Sequence, residues 1–411
     1  MLGPALDRLF REERRRVLAT LIRLTGDFER AEDAFMDACA RALETWSRDG
    51  VPERPGAWLL AVARNRALDL GRRTRAAESA RVDLAELQAG RSGASPDEEA
   101  LALPDDLLRL VFTCCHPALA PEAQVALTLR TLCGLTTAEI ARAFLQGEAA
   151  TAQRLVRAQR KIRDARIPYR VPERDELPER LEPVLAVVYL VFNEGYLATA
   201  SDTLVRADLA REAIRMGRLL ATLLPDEPEV LGLLALMLIH EARREARTGP
   251  AGELVPLEEQ DRSRWDGAAI SDATALLDRA LLLRRRGAYQ VQAAIAALHA
   301  TAPSAADTDW TQIALLYEVL LRLAPSPVVA LNEAAAVGMA HGPEHGLARL
   351  AALGGSKELA ANHLLPAARA DFLRRLGRGA EAAEAYLAAL ALCRNGRERA
   401  YLERRLAEVG G

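Results

Sequence analysis

Apolar residues recur at three- and four-residue spacing along most of the chain, the period of helices buried on one side. Leu6, Leu9 and Phe10 begin one stripe, Val17, Leu18, Leu21, Ile22 and Leu24 continue it, and Gly26-Asp27 stops it. Residues 28–46 carry a second stripe, with Ala31, Ala34, Phe35, Ala38, Ala42 and Trp46 inside and Glu32, Asp33 and Asp37 outside. The loop RDGVPERPG (48–56) precedes a third helix, AWLLAVARNRALDLGRR. Residues 76–103 are polar with weak periodicity, the composition of a linker. Helical period resumes over 104–167, and 175–411 form a long helical array.

Within 119–163 the pattern becomes specific. Gly134 ends one helix, and Thr136-Thr137-Ala138-Glu139 can cap the next through reciprocal amide bonds. That helix is short, with Ile140 and Ala141 inward. A turn near Gly147 leads to a longer helix with Leu155 and Ile162 inside and arginines outside. Short helix, turn and Arg-studded helix is the arrangement that sets a recognition helix in the DNA major groove.

The array after 175 holds degenerate helix-pair repeats. In the last, Ala370, Ala382, Tyr386 and Ala389 fit the small and aromatic positions of a tetratricopeptide unit. Ala213, Pro225, Leu231, Leu234 and Ala235 fit an earlier one, and Tyr317, Pro325, Leu331 and Ala335 another. One such pair cannot bury its apolar face alone, so stacking into a tetratricopeptide-like solenoid follows.

Composition sharpens this picture. Of 411 residues, 50% are hydrophobic and only 4% aromatic, which favours an all-α chain with a sizeable core and excludes disorder. No run reaches the roughly 20 apolar residues of a membrane span, and MLGPALDRLFREERRR lacks a signal-peptide core. Five cysteines, an odd number, argue for a reducing compartment, and the expected location is cytoplasmic. Net charge is −3, unevenly spread: residues 1–170 carry 27 Lys/Arg against 24 Asp/Glu, and 171–411 carry 27 against 33. Arg64–Arg75 and Arg154–Arg170 are locally basic, which suggests two phosphate-facing surfaces or two solvated helix faces.

These residues carry a resemblance. Residues 1–170 resemble the two-domain extracytoplasmic-function sigma factors of bacterial RNA polymerase. The matching text in the first domain is Gly26-Asp27 with Ala31-Glu32-Asp33, then Ala57-Trp58-Leu59 with Ala63-Arg64-Asn65-Arg66 and Asp69. In the second it is Leu119 to Arg130, Gly134-Leu135-Thr136 with Glu139-Ile140-Ala141, and Arg154-Leu155-Val156-Arg157-Ala158. The remainder looks like the subgroup with a large C-terminal extension, marked here by FTCCHP (112–117), YLVFNEGY (189–196) and QDRSRWD (260–266).

The resemblance implies a polymerase- and −10-binding domain over 1–75, a linker over 76–103, a −35-binding helix-turn-helix domain over 104–170, and a helical extension over 175–411. It implies core polymerase binding by Asp27, Glu32, Asp33, Phe35, Met36 and Asp37. It places Trp58, Arg64, Asn65, Arg66, Arg72 and Arg73 on the −10 element, where stacking surfaces and backbone cations capture single strands. Trp58 also lies on the apolar stripe with Leu59 and Val62, so a core role stays open beside stacking. Thr151, Gln153, Arg154, Arg157, Arg160 and Lys161 would read the −35 duplex. The implied partners are core polymerase, promoter DNA and a regulatory protein or ligand at the extension. Three departures stand out: Met36 where the family has Gln, Gly71 inside the basic stretch, which is expected to fray the −10 helix, and a Thr shifted by one in GEAATAQ.

Two constellations invite an enzymatic reading. Adjacent ligands on a helix diverge by about 100 degrees, so Cys114-Cys115-His116 with Cys133 reads as structural cysteine rather than a metal cluster. Asn193-Glu194 sits on a stripe of Val188, Tyr189, Phe192 and Tyr196, which reads as packing. With no nucleophile–base set or phosphate loop, neither enzyme nor cofactor is expected. A competing reading is a helix-turn-helix repressor or activator with a solenoid sensor that never touches polymerase. The acidic second helix coupled to the −10-like helix argues against it.

Overall fold

The computed structural model describes residues 3–77, 96–144, 146–197, 204–249, 255–360, 362–393 and 396–410. The described chain is all-α, with eighteen α-helices in two compact units, Met1–Val191 and Phe192–Gly411.

In the first unit, α1 (Gly3–Thr25), α2 (Phe28–Asp49) and α3 (Pro55–Ala77) pack on one another. Gly26 ends α1 at φ +66°, a left-handed conformation open to glycine, and Asp27 caps α2 by accepting from the amides of Glu29 and Arg30. Helix α3 runs unbroken through Gly71 to Ala77, so the expected fraying is not seen. One glycine costs about 1 kcal/mol, which the surrounding Ala, Leu and Arg residues offset. The polar segment before residue 104 lies partly outside the described residues. Its last part is helical, because α4 (Pro96–Cys114) begins at Pro96.

Helix α4 packs on α1, so the two sigma-like halves form one unit rather than two beads on a linker. Helices α5 (Pro121–Thr131), α6 (Thr137–Ala143) and α7 (Glu148–Asp164) complete the second half, with α5 and α6 both against α7. Helix α8 (Leu177–Leu197) starts in this unit. Leu181, Val184, Leu185 and Val188 are buried, and Arg180 donates to the Phe112 carbonyl at 3.0 Å. The structural division therefore falls after Val191 rather than near 175.

In the second unit each helix packs on its neighbours in sequence, from α9 (Leu204–Leu223), α10 (Pro228–Ala242), α11 (Gly267–Leu282) and α12 (Ala288–Thr301) through α13 (Trp310–Leu323) and α14 (Pro327–His341). The run continues with α15 (Pro343–Ala352), α16 (Leu364–Arg375), α17 (Gly379–Leu392) and α18 (Gly396–Gly410). Ala370, Ala382, Tyr386 and Ala389 are buried as their spacing predicts, as are Ala213, Leu231, Leu234 and Ala235. In the middle pair Leu331 is buried but Pro325 is exposed. Glu229 of α10 accepts from the amides of Tyr289 and Gln290 at 3.0 and 3.1 Å, so a carboxylate of one helix caps the positive end of α12.

Helices α10 and α12 meet at Gly232, where a Cβ would fall 2.8 Å from the Gln290 amide nitrogen, a backbone atom that cannot swing aside. Gly232→Ala should destabilise the full chain by about 1–3 kcal/mol in urea denaturation. Gly355→Ala, which meets nothing within 4 Å, should be near neutral. Equal effects would show that this close approach does not govern packing.

Candidate functional site

Helix α2 presents two faces. Phe28, Ala31, Ala34, Phe35, Ala38, Ala42 and Trp46 are buried, whereas Asp33, Met36, Asp37 and Leu43 are exposed. Phe35, expected to touch polymerase, is only 2% exposed and lies under the Arg14 guanidinium, 5.4 Å from its ring centre. Its place on the Ala31–Ala38 stripe takes it to the core. The exposed apolar contact is instead Met36 with Leu43, one heptad apart and flanked by Asp33, Asp37 and Glu44. Leu43 was legible in the seven-residue spacing from Met36, on the face opposite the alanines.

Glu32 does not point outward either. It pairs with Arg14 of α1 and with Arg130 of α5, the latter at 3.3 Å. A second tie joins the same halves, since Arg23 of α1 lies 2.8 Å from Asp106 of α4, whose side chain is 1% exposed. The Tyr169 hydroxyl, past the end of α7, donates toward the carbonyls of Ala19 (2.9 Å) and Asp106 (3.2 Å). Burial, and then the Asp106 carboxylate, push this phenol above its ordinary range and keep it protonated.

On α3, Trp58 is half-buried and meets Trp46 edge-on at 5.2 Å, with Phe10 5.7 Å beyond Trp46. Arg66 pairs with Asp37, so a cation placed on the −10 element and an acid placed on polymerase hold each other. Asn65 is exposed and Arg64 half-buried, while the side chains of Arg72 and Arg73 lie outside the described residues.

The turn before α6 forms as its residues dictate. The Thr136 amide donates to Glu139 Oε2 at 2.7 Å and the Glu139 amide to Thr136 Oγ1 at 3.2 Å. Gly134 sits at φ +74° just before it. On α7, Thr151, Leu155, Ala158 and Ile162 are buried. Thr151 therefore does not face DNA: it lies three residues into the helix, and its hydroxyl donates to the Gly147 carbonyl at 3.2 Å. Gln153, Arg157, Arg160 and Lys161 are exposed, with Arg157 3.4 Å from Gln153 Oε1, and Arg154 is half-buried on Gln146. At the end of the basic strip Arg170 grips Glu176 through two 2.6 Å bonds, which hold that carboxyl down to about 2. A cleft lined by Asp27 and Glu29 on one side and Val156 and Arg160 on the other separates α2 from α7.

Residues 9–77 match sigma-70 region 2. An uncharacterized protein of Rhizobium meliloti (strain 1021) is 44% identical over 395 residues, covering 96% of this chain and 93% of its own. The N-terminal segment 9–77 is therefore a sigma-70 region 2, which supports a sigma factor family for the chain. That match supports a role in transcription initiation, in interaction with core RNA polymerase and promoter DNA, and sigma-70 factors are not enzymes. Residues 180–281 match a family of unknown function, DUF6596. No solved structure matches the chain. No helix among the described residues is long and apolar enough to cross a membrane.

The cysteines of the sigma factor's FTCCHP motif are interior groups. Cys114 and Cys115 are fully buried, burial pushes the Cys115 thiol up to about 12, and its Sγ lies 3.4 Å from Thr128 Oγ1. Tyr196, the last residue of YLVFNEGY, and Arg262 and Trp265 of QDRSRWD belong to one arginine cluster in the second unit. Arg247 stacks 3.7 Å over the Tyr196 ring, and Arg262 and Arg243 lie 4.6 and 5.7 Å from the centre of Trp265. Tyr196 also meets His240, with ring centres 5.0 Å apart.

Two predictions follow from these contacts. Glu32→Ala leaves Arg14 buried without its carboxylate and should cost about 3 kcal/mol in chemical denaturation. Arg130→Ala removes a more exposed partner and should cost about 1 kcal/mol or less. The reverse order would show that Glu32 does not anchor this contact.

The second prediction concerns acid. Burial, and then Arg243, Arg247 and His299, hold His240 well below its ordinary 6.5, and burial with Arg243 and Arg262 holds His299 down to about 4. Both imidazoles are neutral when folded, so below about pH 6.5 the unfolded chain binds more protons. Stability should be full above that pH and fall as pH drops toward 4. Thermal melts of His240→Gln and His299→Gln should show a flatter acid limb, and an unchanged limb would place the acid sensitivity elsewhere.

Proposed function

We propose that the chain is a sigma factor of the extracytoplasmic-function type that directs core polymerase to a restricted promoter set, with a tetratricopeptide-like extension that regulates its output in the cytoplasm. The observation that carries this reading is the pair α6 and α7: a box of Thr136 and Glu139 caps α6, and the helix that follows, α7, turns Gln153, Arg157, Arg160 and Lys161 outward, on a chain whose residues 9–77 match sigma-70 region 2. Region 2 also weighs against a helix-turn-helix regulator that works apart from polymerase.

On this reading Asp33, Met36, Asp37 and Leu43 of α2 dock on core polymerase, apolar contact giving affinity and the carboxylates giving register. Asn65 and Arg66, with Arg64, Arg72 and Arg73, meet the −10 strand, and Trp58 shapes the fold beneath them. Arg154 and Arg157 face base edges or phosphates of the −35 duplex. The Glu32–Arg130 and Arg23–Asp106 ties hold the halves closed, and DNA engagement at two separated elements requires them to part. The extension biases that opening.

Run-off transcription with purified core polymerase on a genomic library tests the reading. Leu43→Lys and Asp33→Lys should each weaken holoenzyme assembly by tenfold or more, a loss of about 1.4 kcal/mol, with unchanged melting. Arg154→Ala and Arg157→Ala should lower −35 binding by about 1–3 kcal/mol if a base edge is read. If only phosphate is touched, sequence preference stays and the salt slope falls by about one. Wild-type assembly and output in all four variants would overturn it.

A further inference from the structure

We propose that the cationic cluster where YLVFNEGY meets QDRSRWD binds a phosphate-class oxyanion. It lies within the match to the family of unknown function and is independent of the sigma reading.

Three guanidinium groups converge there. Arg247 and Arg262 are anchored by carbonyls at helix ends: Arg247 donates to the Tyr196 carbonyl at 3.0 Å, and Arg262 to those of His299 and Ala302 at 2.7 Å each. Arg243 is different. It is 5% exposed, its Nη2 meets His240 Nδ1 at 2.8 Å, the Tyr196 side chain is a second hydrogen-bond partner, and its Nε and Nη1 have no acceptor among the described residues. Asp307 lies in the field of Arg262, but no ion pair within 4 Å joins any of the three to a carboxylate among the described residues. Arg244, by contrast, lies 2.7 Å from Glu241, so this stretch takes an acid partner where one is within reach.

A buried cation without a counter-charge costs several kcal/mol, and carbonyl dipoles offset that only in part. His240, kept neutral by burial and then by Arg243 and Arg247, adds no negative charge. An oxyanion satisfies the geometry, because the planar guanidinium fork presents paired N–H donors matched to phosphate oxygens. Of the three arginines, Arg262 is the one that reaches surface cavities. Arg262 and Trp265 line a cavity of about 580 Å³, and Arg262, His299 and Trp310 line another of about 450 Å³. The aromatic rings of Tyr196 and Trp265 fix the guanidinium planes, so the donors are held in place before the ligand arrives. Both a free phosphate and a phosphate monoester present this chemistry.

The test is a thermal shift and a calorimetric titration of the full chain with inorganic phosphate, against chloride at matched ionic strength, and with ribose 5-phosphate in a parallel arm. Saturable binding with a midpoint raised by about 2–4 °C is expected in either arm. Tighter binding in the ester arm identifies a monoester as the ligand. Arg243→Met should abolish the shift, and Arg243→Lys, which keeps the charge without the fork, should weaken binding at least tenfold. If Arg243→Met fails to fold, broadening of the phosphorus resonance by wild type and its absence with Arg243→Lys decide the matter. A wild type that responds equally to phosphate, ester and chloride overturns the proposal. So does a wild type that responds to neither phosphate nor ester.

Discussion

Most of the described helices bury a single stripe, and much of that stripe is alanine, so such a helix gains enough apolar burial only when a neighbour closes on it tightly, whereas α5 and α10 are buried on nearly all sides. Ala213, Ala235, Ala273, Ala293, Ala334, Ala370, Ala382 and Ala389 are all at or near zero exposure. Small side chains let helix axes approach, and the larger residues, Phe372 against Gly338 and Gly346 or Tyr386 in the last pair, fill what remains. Because each stripe is covered by the next helix in sequence, the second unit grows by neighbour contacts, as repeat arrays do.

The first unit departs from that pattern. Its two halves are joined across the sequence by Glu32 and Arg130, Arg23 and Asp106, and the Tyr169 hydroxyl. Asp106 is the more committed of the two acids, since its side chain is 1% exposed and it meets both Arg23 and Arg109. Such ties are strong when intact and costly to break singly, which suits an interface that parts as a whole. In the sigma reading, the contact that holds the halves together uses a carboxylate of the same helix that faces polymerase.

The extension carries a different chemistry. Its most acidic stretches lie on solvated faces, where Arg375, Arg404 and Arg405 pair with Glu258 and Glu259. Its interior, at the junction of the two motifs, is cationic and aromatic. That inversion sets the junction apart from the surrounding packing, and it is the feature on which the oxyanion proposal rests.

Features built from a few consecutive residues were legible in the sequence by itself. Gly26 and Asp27 end one helix and cap the next, Thr136 and Glu139 close a capping box, and the alanines of the last helix pair fall on the buried face, because each depends on contacts within about one helical turn or on a fixed period. The outward arginines of α7 follow from the same period. Phe35 falls on the buried stripe that its spacing predicts, away from the polymerase-facing place the resemblance implies, and Thr151, four residues before Leu155, is buried on the same face of α7. The partner of Glu32 was beyond reach. Arg130 stands 98 residues away, and no local rule selects it from the 54 cations of the chain. Likewise nothing in YLVFNEGY or QDRSRWD shows that Arg243, between them in sequence, is sealed beside Trp265. Charge pairing and desolvation are set by which surfaces meet, and only the tertiary structure decides that.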